Sequence, residues 1–137
     1  MRKLLKNKRG VTLVELLAVL VILGIIAAIA VPTIGNLIDN SRQRAAEAEW
    51  TNIQEAARLY ATSEDPDAAF SLDAIEQAGY IDFDGTISGY ETTATTGSST
   101  DLLSEDIFDS NGDFDSALLP TGVNTIFIDG YQVYPAL

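Results

Sequence analysis

The 137-residue chain contains no histidine and no cysteine. The first absence removes imidazole bases and imidazole metal ligands. The second removes disulfides, thiolate zinc sites, cysteine nucleophiles and lipid-modified cysteines. Basic residues are few: 8 Lys and Arg stand against 20 Asp and Glu, for a net charge of −12. That sign opposes binding to a phosphate backbone, so no direct nucleic-acid contact is expected. Carboxylate acid–base chemistry, Ser or Thr nucleophiles without His, and non-catalytic roles remain. No nucleophile motif, Gly-rich phosphate loop or metalloprotease motif is present, so the chain reads as a non-enzyme without a cofactor. Its length suits one domain of ordinary size.

What is present is unevenly spread. Residues 1–10, MRKLLKNKRG, carry 5 of the 8 basic side chains. Val11 to Val31 follow, interrupted in their apolar character only by Thr12 and Glu15. As a helix, this run rises about 31 Å at ~1.5 Å per residue, the thickness of a bilayer's hydrocarbon core. The basic decapeptide belongs on the cytoplasmic side and the remainder of the chain across the membrane. A domain of this length has too little other material to enclose a helix that is apolar on every face.

Glu15 is the exception within the run. A carboxylate near the start of a membrane helix costs on the order of 2.5–3.5 kcal/mol and usually has a partner. The leader's cations are candidates. A second candidate is the α-amino group created by a cut between Gly10 and Val11, in the same chain or a neighbour. Snorkelling of the carboxylate to the near interface is the third reading.

The string Gly10-Val11-Thr12-Leu13-Val14-Glu15-Leu16-Leu17, after a basic leader and before an apolar run, resembles the N-terminus of type IV prepilins. Type II secretion pseudopilins and competence pseudopilins share it, and Pro32 at the end of the run fits the same pattern. The resemblance covers roughly residues 1–60. It implies that a membrane-embedded prepilin peptidase cleaves after Gly10 and N-methylates Val11, where phenylalanine is the commoner residue. It also implies that Glu15 pairs with the N-terminus of an adjacent subunit as apolar helices pack into a filament. The implied partners are copies of this chain, related pilins, the peptidase, the cytoplasmic membrane and a pilus assembly platform. The implied location is a single-pass membrane protein with its N-terminus inside, later a filament at the cell surface. The competing reading is a single-span anchored or secreted binding module. Ala28-Ile29-Ala30 satisfies the A-x-A signal-peptidase pattern, although the apolar run is longer than such segments usually are and carries a charge.

Past the apolar run, the pattern stays helical from Thr33 to Thr62. Pro32 removes one donor and should loosen the helix locally. Ala46, Trp50, Ile53, Ala57 and Tyr60 share one face and should hold the soluble region. Asp39–Arg42, Arg44–Glu47 and Glu55–Arg58 are spaced as i,i+3 ion pairs. Asp65-Pro66-Asp67 ends the helix, Ser71 caps a short helix over 72–78, and Gly79 stops it. Residues 86–90 read as a strand, and the Ser/Thr-rich stretch Thr92–Thr100 as a loop or a polar edge strand. Asp129-Gly130 between 125–128 and 131–134 predicts a two-residue hairpin. The inner face of the sheet should take some of Phe127, Tyr131 and Val133, together with Ile87 and Leu119.

The resulting expectation is an α+β fold, with a long N-terminal helix packed on a small antiparallel sheet. Its parts are a leader (1–10), an apolar helix (11–31), an amphipathic continuation (32–62) and an acidic globular region (63–137). Asp109, Asn111, Asp113 and Asp115 place oxygens at positions 1, 3, 5 and 7 of a calcium-loop spacing. Gly112 stands at position 4 instead of 6, and Pro120 stands where the loop's final Glu belongs. An acidic surface loop is the competing reading.

Overall fold

The computed structural model describes residues 8–90 and 99–135. It has one long helix, α1 (Lys8–Glu64), followed by short strands and turns. The chain divides into two compact units, residues 1–40 and residues 41–137.

In the first unit the described chain is helix alone, and the helix assignment passes through Pro32 without a break. Proline offers no N–H to the carbonyl four residues back and crowds that turn. The Thr33 hydroxyl donates to the Ile29 carbonyl oxygen at 2.8 Å and supplies a bond within the crowded turn. A hydroxyl at this spacing is a common local adjustment around helical prolines. From Leu13 to Ile38 the Leu, Ile and Val side chains are all exposed.

The second unit is an α+β domain. The helix of residues 41–64 buries Ala46, Trp50, Ile53, Ala57 and Ala61, with Tyr60 packed at the margin. This is the face that the 3–4 spacing picks out. Against it lie a two-stranded antiparallel sheet, β1 (Phe70–Ser71) with β4 (Asp106–Phe108), and a four-stranded antiparallel sheet. The larger sheet runs in the order β3 (Ser99–Asp101), β2 (Ile87–Tyr90), β5 (Thr125–Ile128), β6 (Tyr131–Tyr134). Between β1 and β2 sits α2 (Leu72–Gln77). The Ser71 hydroxyl accepts from the Ala74 N–H at 3.3 Å, which caps α2 as its sequence suggests. Gly79 follows with φ 81°, the left-handed turn that stops a helix.

The hairpin falls where Asp-Gly places it. Asp129 and Gly130 have φ 49° and 84°, the two positive angles of a type I′ turn. The Asp129 carboxylate then accepts from the Thr86 N–H at 2.9 Å and ties the hairpin to the start of β2. Of Phe127, Tyr131 and Val133, Val133 turns fully inward, and β5 contributes its isoleucines in place of Phe127. Ile126 and Ile128 are fully buried, whereas Phe127 is half-buried and stacks edge-on against Tyr90 at 4.9 Å. A period of two places either the isoleucines or the phenylalanine inward, and two branched chains fill the interior. Ile87 and Val133 are buried, and Tyr131 and Leu119 lie at the edge of the core. Of the Ser/Thr-rich stretch, Ser99 and Thr100 begin β3, and 92–98 lie outside the described residues.

Candidate functional site

The first candidate is the helix of the first unit. Sixteen large apolar side chains between Leu13 and Ile38 are exposed, each at 46% or more. Burying one such side chain is worth about 1.5–3 kcal/mol, so the set carries a drive of more than ~20 kcal/mol toward lipid or protein. The helix is long and apolar enough to cross a membrane. Glu15 is the only ionisable residue between Thr12 and Ile38 and is exposed in the single chain. Gly10 and Val11 are backbone positions within α1, and Glu15 follows Val11 by four residues, about 6 Å along the axis. Residues 1–7 of the leader lie outside the described residues.

The second candidate is the acidic loop of the second unit. The Asp109 carboxylate accepts from the backbone N–H groups of Asn111 and Asp113, each at 2.9 Å, and from the Asn111 amide at 3.2 Å. The Asp113 carboxylate accepts from Arg58 Nε at 2.9 Å. Asp115 accepts from the Ala117 N–H at 2.8 Å and caps a 3₁₀ turn, Ser116–Leu118. Asp109 and Asp115 thus hold their own loop and turn, and Asp113 holds the helix. Among the described residues no three acidic side chains are grouped to hold a metal ion.

This arrangement makes the loop a clasp on α1. Gly112 has φ 80°, and a Cβ there would stand 2.5 Å from the Ala57 carbonyl oxygen, so only glycine fits. Phe114 packs edge-on against Trp50 at 5.2 Å. Arg58 reaches Asp113 instead of Glu55, the partner its helical spacing suggests. The string Asp-Ser-Asn-Gly-Asp carries the signal for this geometry, since Asp and Asn commonly bond their own backbone two residues on.

The Asp109 carboxyl is held below the usual carboxylate range, chiefly by the Asp113 N–H and then by the Asn111 amide. A carboxyl lowered in the folded state adds stability above its unfolded value, near pH 4, and loses it as pH falls through the folded value. Asp109→Ala should therefore lower Tm at neutral pH. The difference from wild type should shrink as thermal melts are taken from pH 5 down to pH 2. An unchanged difference across that range would show that the loop holds by other means.

Residues 5–31 match the model of the prokaryotic N-terminal methylation motif. It is the prepilin-type motif of type IV pilins and pseudopilins. Proteins of that motif are structural subunits, not enzymes. No curated protein and no solved structure matches the chain.

Proposed function

We propose that the chain is a subunit of a type IV pilus-like filament, a pilin or pseudopilin, assembled through the apolar helix of its N-terminal unit. One observation carries this reading: the matched motif coincides with a helix whose large apolar side chains are exposed on all sides and which holds one carboxylate. In the proposed sequence of events, the cationic leader stays in the cytoplasm while the helix sits in the membrane. A prepilin peptidase cleaves the Gly10–Val11 bond and N-methylates the Val11 amine. The chain then leaves the lipid, and its helix packs against the helices of other copies. Out of water, Glu15 needs a cation, and the Val11 amine of a neighbouring copy supplies one. That pair fixes the axial register, with Pro32 marking the outer end of the apolar run. Packing transfers the same apolar surface from lipid to protein, so the hydrophobic drive is retained along the whole route.

Electron microscopy of material sheared from cells producing the chain tests the proposal. Thin filaments that carry the chain by immunogold labelling are the expected result. The chain found only in membranes, or released as a monomer after cleavage beyond Ala30, would support the anchored or secreted binding module instead.

The mechanism uses no cofactor. The carboxylates of Asp109, Asp113 and Asp115 already accept hydrogen bonds from the protein. Millimolar calcium is therefore expected to leave Tm unchanged. A calcium-dependent rise in Tm, lost in Asp109→Ala, would make the loop a calcium site.

A further inference from the structure

Removal of residues 1–10 changes the charge of the chain in kind as well as amount. All three lysines, Lys3, Lys6 and Lys8, belong to the leader. The remainder holds three cationic side chains, all arginine, against 20 acidic ones, a side-chain charge of −17 before the termini are counted. Arg42, Arg44 and Arg58 all lie on α1 within the second unit. Arg58 is held by Asp113 at 2.9 Å. Arg42 and Arg44 are exposed, and neither has an ion pair among the described residues. Glu47, the helical partner expected for Arg44, accepts instead from the Gln43 side chain at 2.8 Å. Arg42 lines an open groove with Ala45, Ala46, Glu49, Asp129 and Tyr131, and neither carboxylate there comes within ion-pair distance of it.

Copies packed side by side at this charge repel one another, and with the Val11 amine committed to Glu15, Arg42 and Arg44 are the cationic side chains left to offset the repulsion. Arginine suits this work. Its planar fork binds carboxylates through two parallel bonds, and it is enriched at protein interfaces where lysine is depleted. We infer that the Arg42–Arg44 stretch of α1 is an interaction surface for the acidic second unit of a further copy of this chain. The inference rests on the proposed filament role and adds to it a contact outside the apolar helix.

Charge complementarity decides the occupant. The second unit contains 18 of the 20 acidic residues and no arginine beyond residue 58. The two arginines stand near the start of this unit's helix. Glu64, Asp65 and Asp67 stand at and just past its end, about 30 Å away. Opposite charges at separated places on one chain favour a head-to-tail contact over a self-paired one, and a head-to-tail contact that does not close gives an open helical polymer. Arg42 and Arg44, two residues apart, also diverge by roughly 200° around the helix, so each takes its own carboxylate.

The test uses the full-length chain in cells that assemble it, with the chain quantified in membranes and in sheared filaments. Wild type is compared with R42Q/R44Q, R42K/R44K and S104E/T121E. The first and last variants lower the net charge by the same amount, and Ser104 and Thr121 are exposed loop residues. The expected result is a loss of at least tenfold in sheared filaments for R42Q/R44Q at unchanged membrane level. R42K/R44K, which keeps the charge and loses the two-bond fork, should fall between wild type and R42Q/R44Q, and S104E/T121E should stay within twofold of wild type. Wild-type yield from R42Q/R44Q overturns the contact and leaves the filament role standing. An equal fall in S104E/T121E assigns the effect to net charge and also overturns the contact. No sheared filaments from wild type itself overturns the filament role and this contact with it.

Discussion

Replacing Glu15 with Ala is expected to cut the yield of sheared filaments by at least a hundredfold while the processed chain accumulates normally in the membrane. The size follows from the surroundings. Glu15 lies in a helix whose other side chains from Leu13 to Ile38 carry no charge. When such helices pack together, a carboxylate and the amine that meets it leave water as a pair. Removing one member of a buried pair costs about 3–5 kcal/mol, because the other member keeps its desolvation cost without its partner. At ~1.4 kcal/mol for each factor of ten, that is more than a hundredfold per contact. Glu15→Gln should fall nearly as far, since a neutral amide cannot offset the ammonium charge. In the membrane the effect reverses in sign: an alanine there removes an insertion cost of about 2.5–3.5 kcal/mol. Retention in the membrane should therefore improve slightly as assembly fails. Quantitative immunoblots of membrane and sheared fractions check both halves, and normal filament yield from Glu15→Ala would contradict the account.

The second large effect is expected at Phe108. Its ring is fully buried, with centroids 6.3 Å from Trp50 on α1 and 5.8 Å from Phe70 on β1. It pairs with Phe70 across the two-stranded sheet and bridges to Phe114 of the acidic loop. Its ring thus joins the helix to the small sheet, and its backbone joins that sheet to the clasp. Phe108→Ala should cost about 3–5 kcal/mol, a large share of the ~5–15 kcal/mol that holds a domain of this size. The expected outcome is a lower urea midpoint for the detergent-solubilised chain and rapid proteolysis between residues 41 and 137. Leu59→Ala serves as the comparison. Leu59 is 55% exposed on the same helix, and its loss should move the midpoint little.

Several features of this fold were legible because they depend on neighbours close in sequence. The buried stripe of α1, the Ser71 cap, the Gly79 stop and the Asp129-Gly130 turn each express a local rule of spacing or backbone angle. The pairing of β1 with β4 was not legible. Strands of two and three residues carry no periodic pattern, and their register depends on contacts nearly forty residues apart along the chain. The inward side of β5 was not legible either, because strict alternation allows Phe127 or the pair Ile126 and Ile128 to face the interior, and the isoleucines fill it. At the candidate sites, Glu15 stands out in the sequence as the one charge in an apolar run. The acidic loop was harder to read. Oxygen-bearing residues at alternate positions serve a calcium site or a set of Asx turns equally well. Only the placement of Gly112 against the Ala57 carbonyl and of Asp113 against Arg58 distinguishes the clasp.

The central claim is that the apolar helix is an assembly element with a processed N-terminus. The most direct measurement is the mass of the N-terminal peptide of the chain recovered from sheared filaments. The account predicts a peptide that begins at Val11 and carries one methyl group on its amine. A chain that begins at Met1 or at Val31 would contradict it.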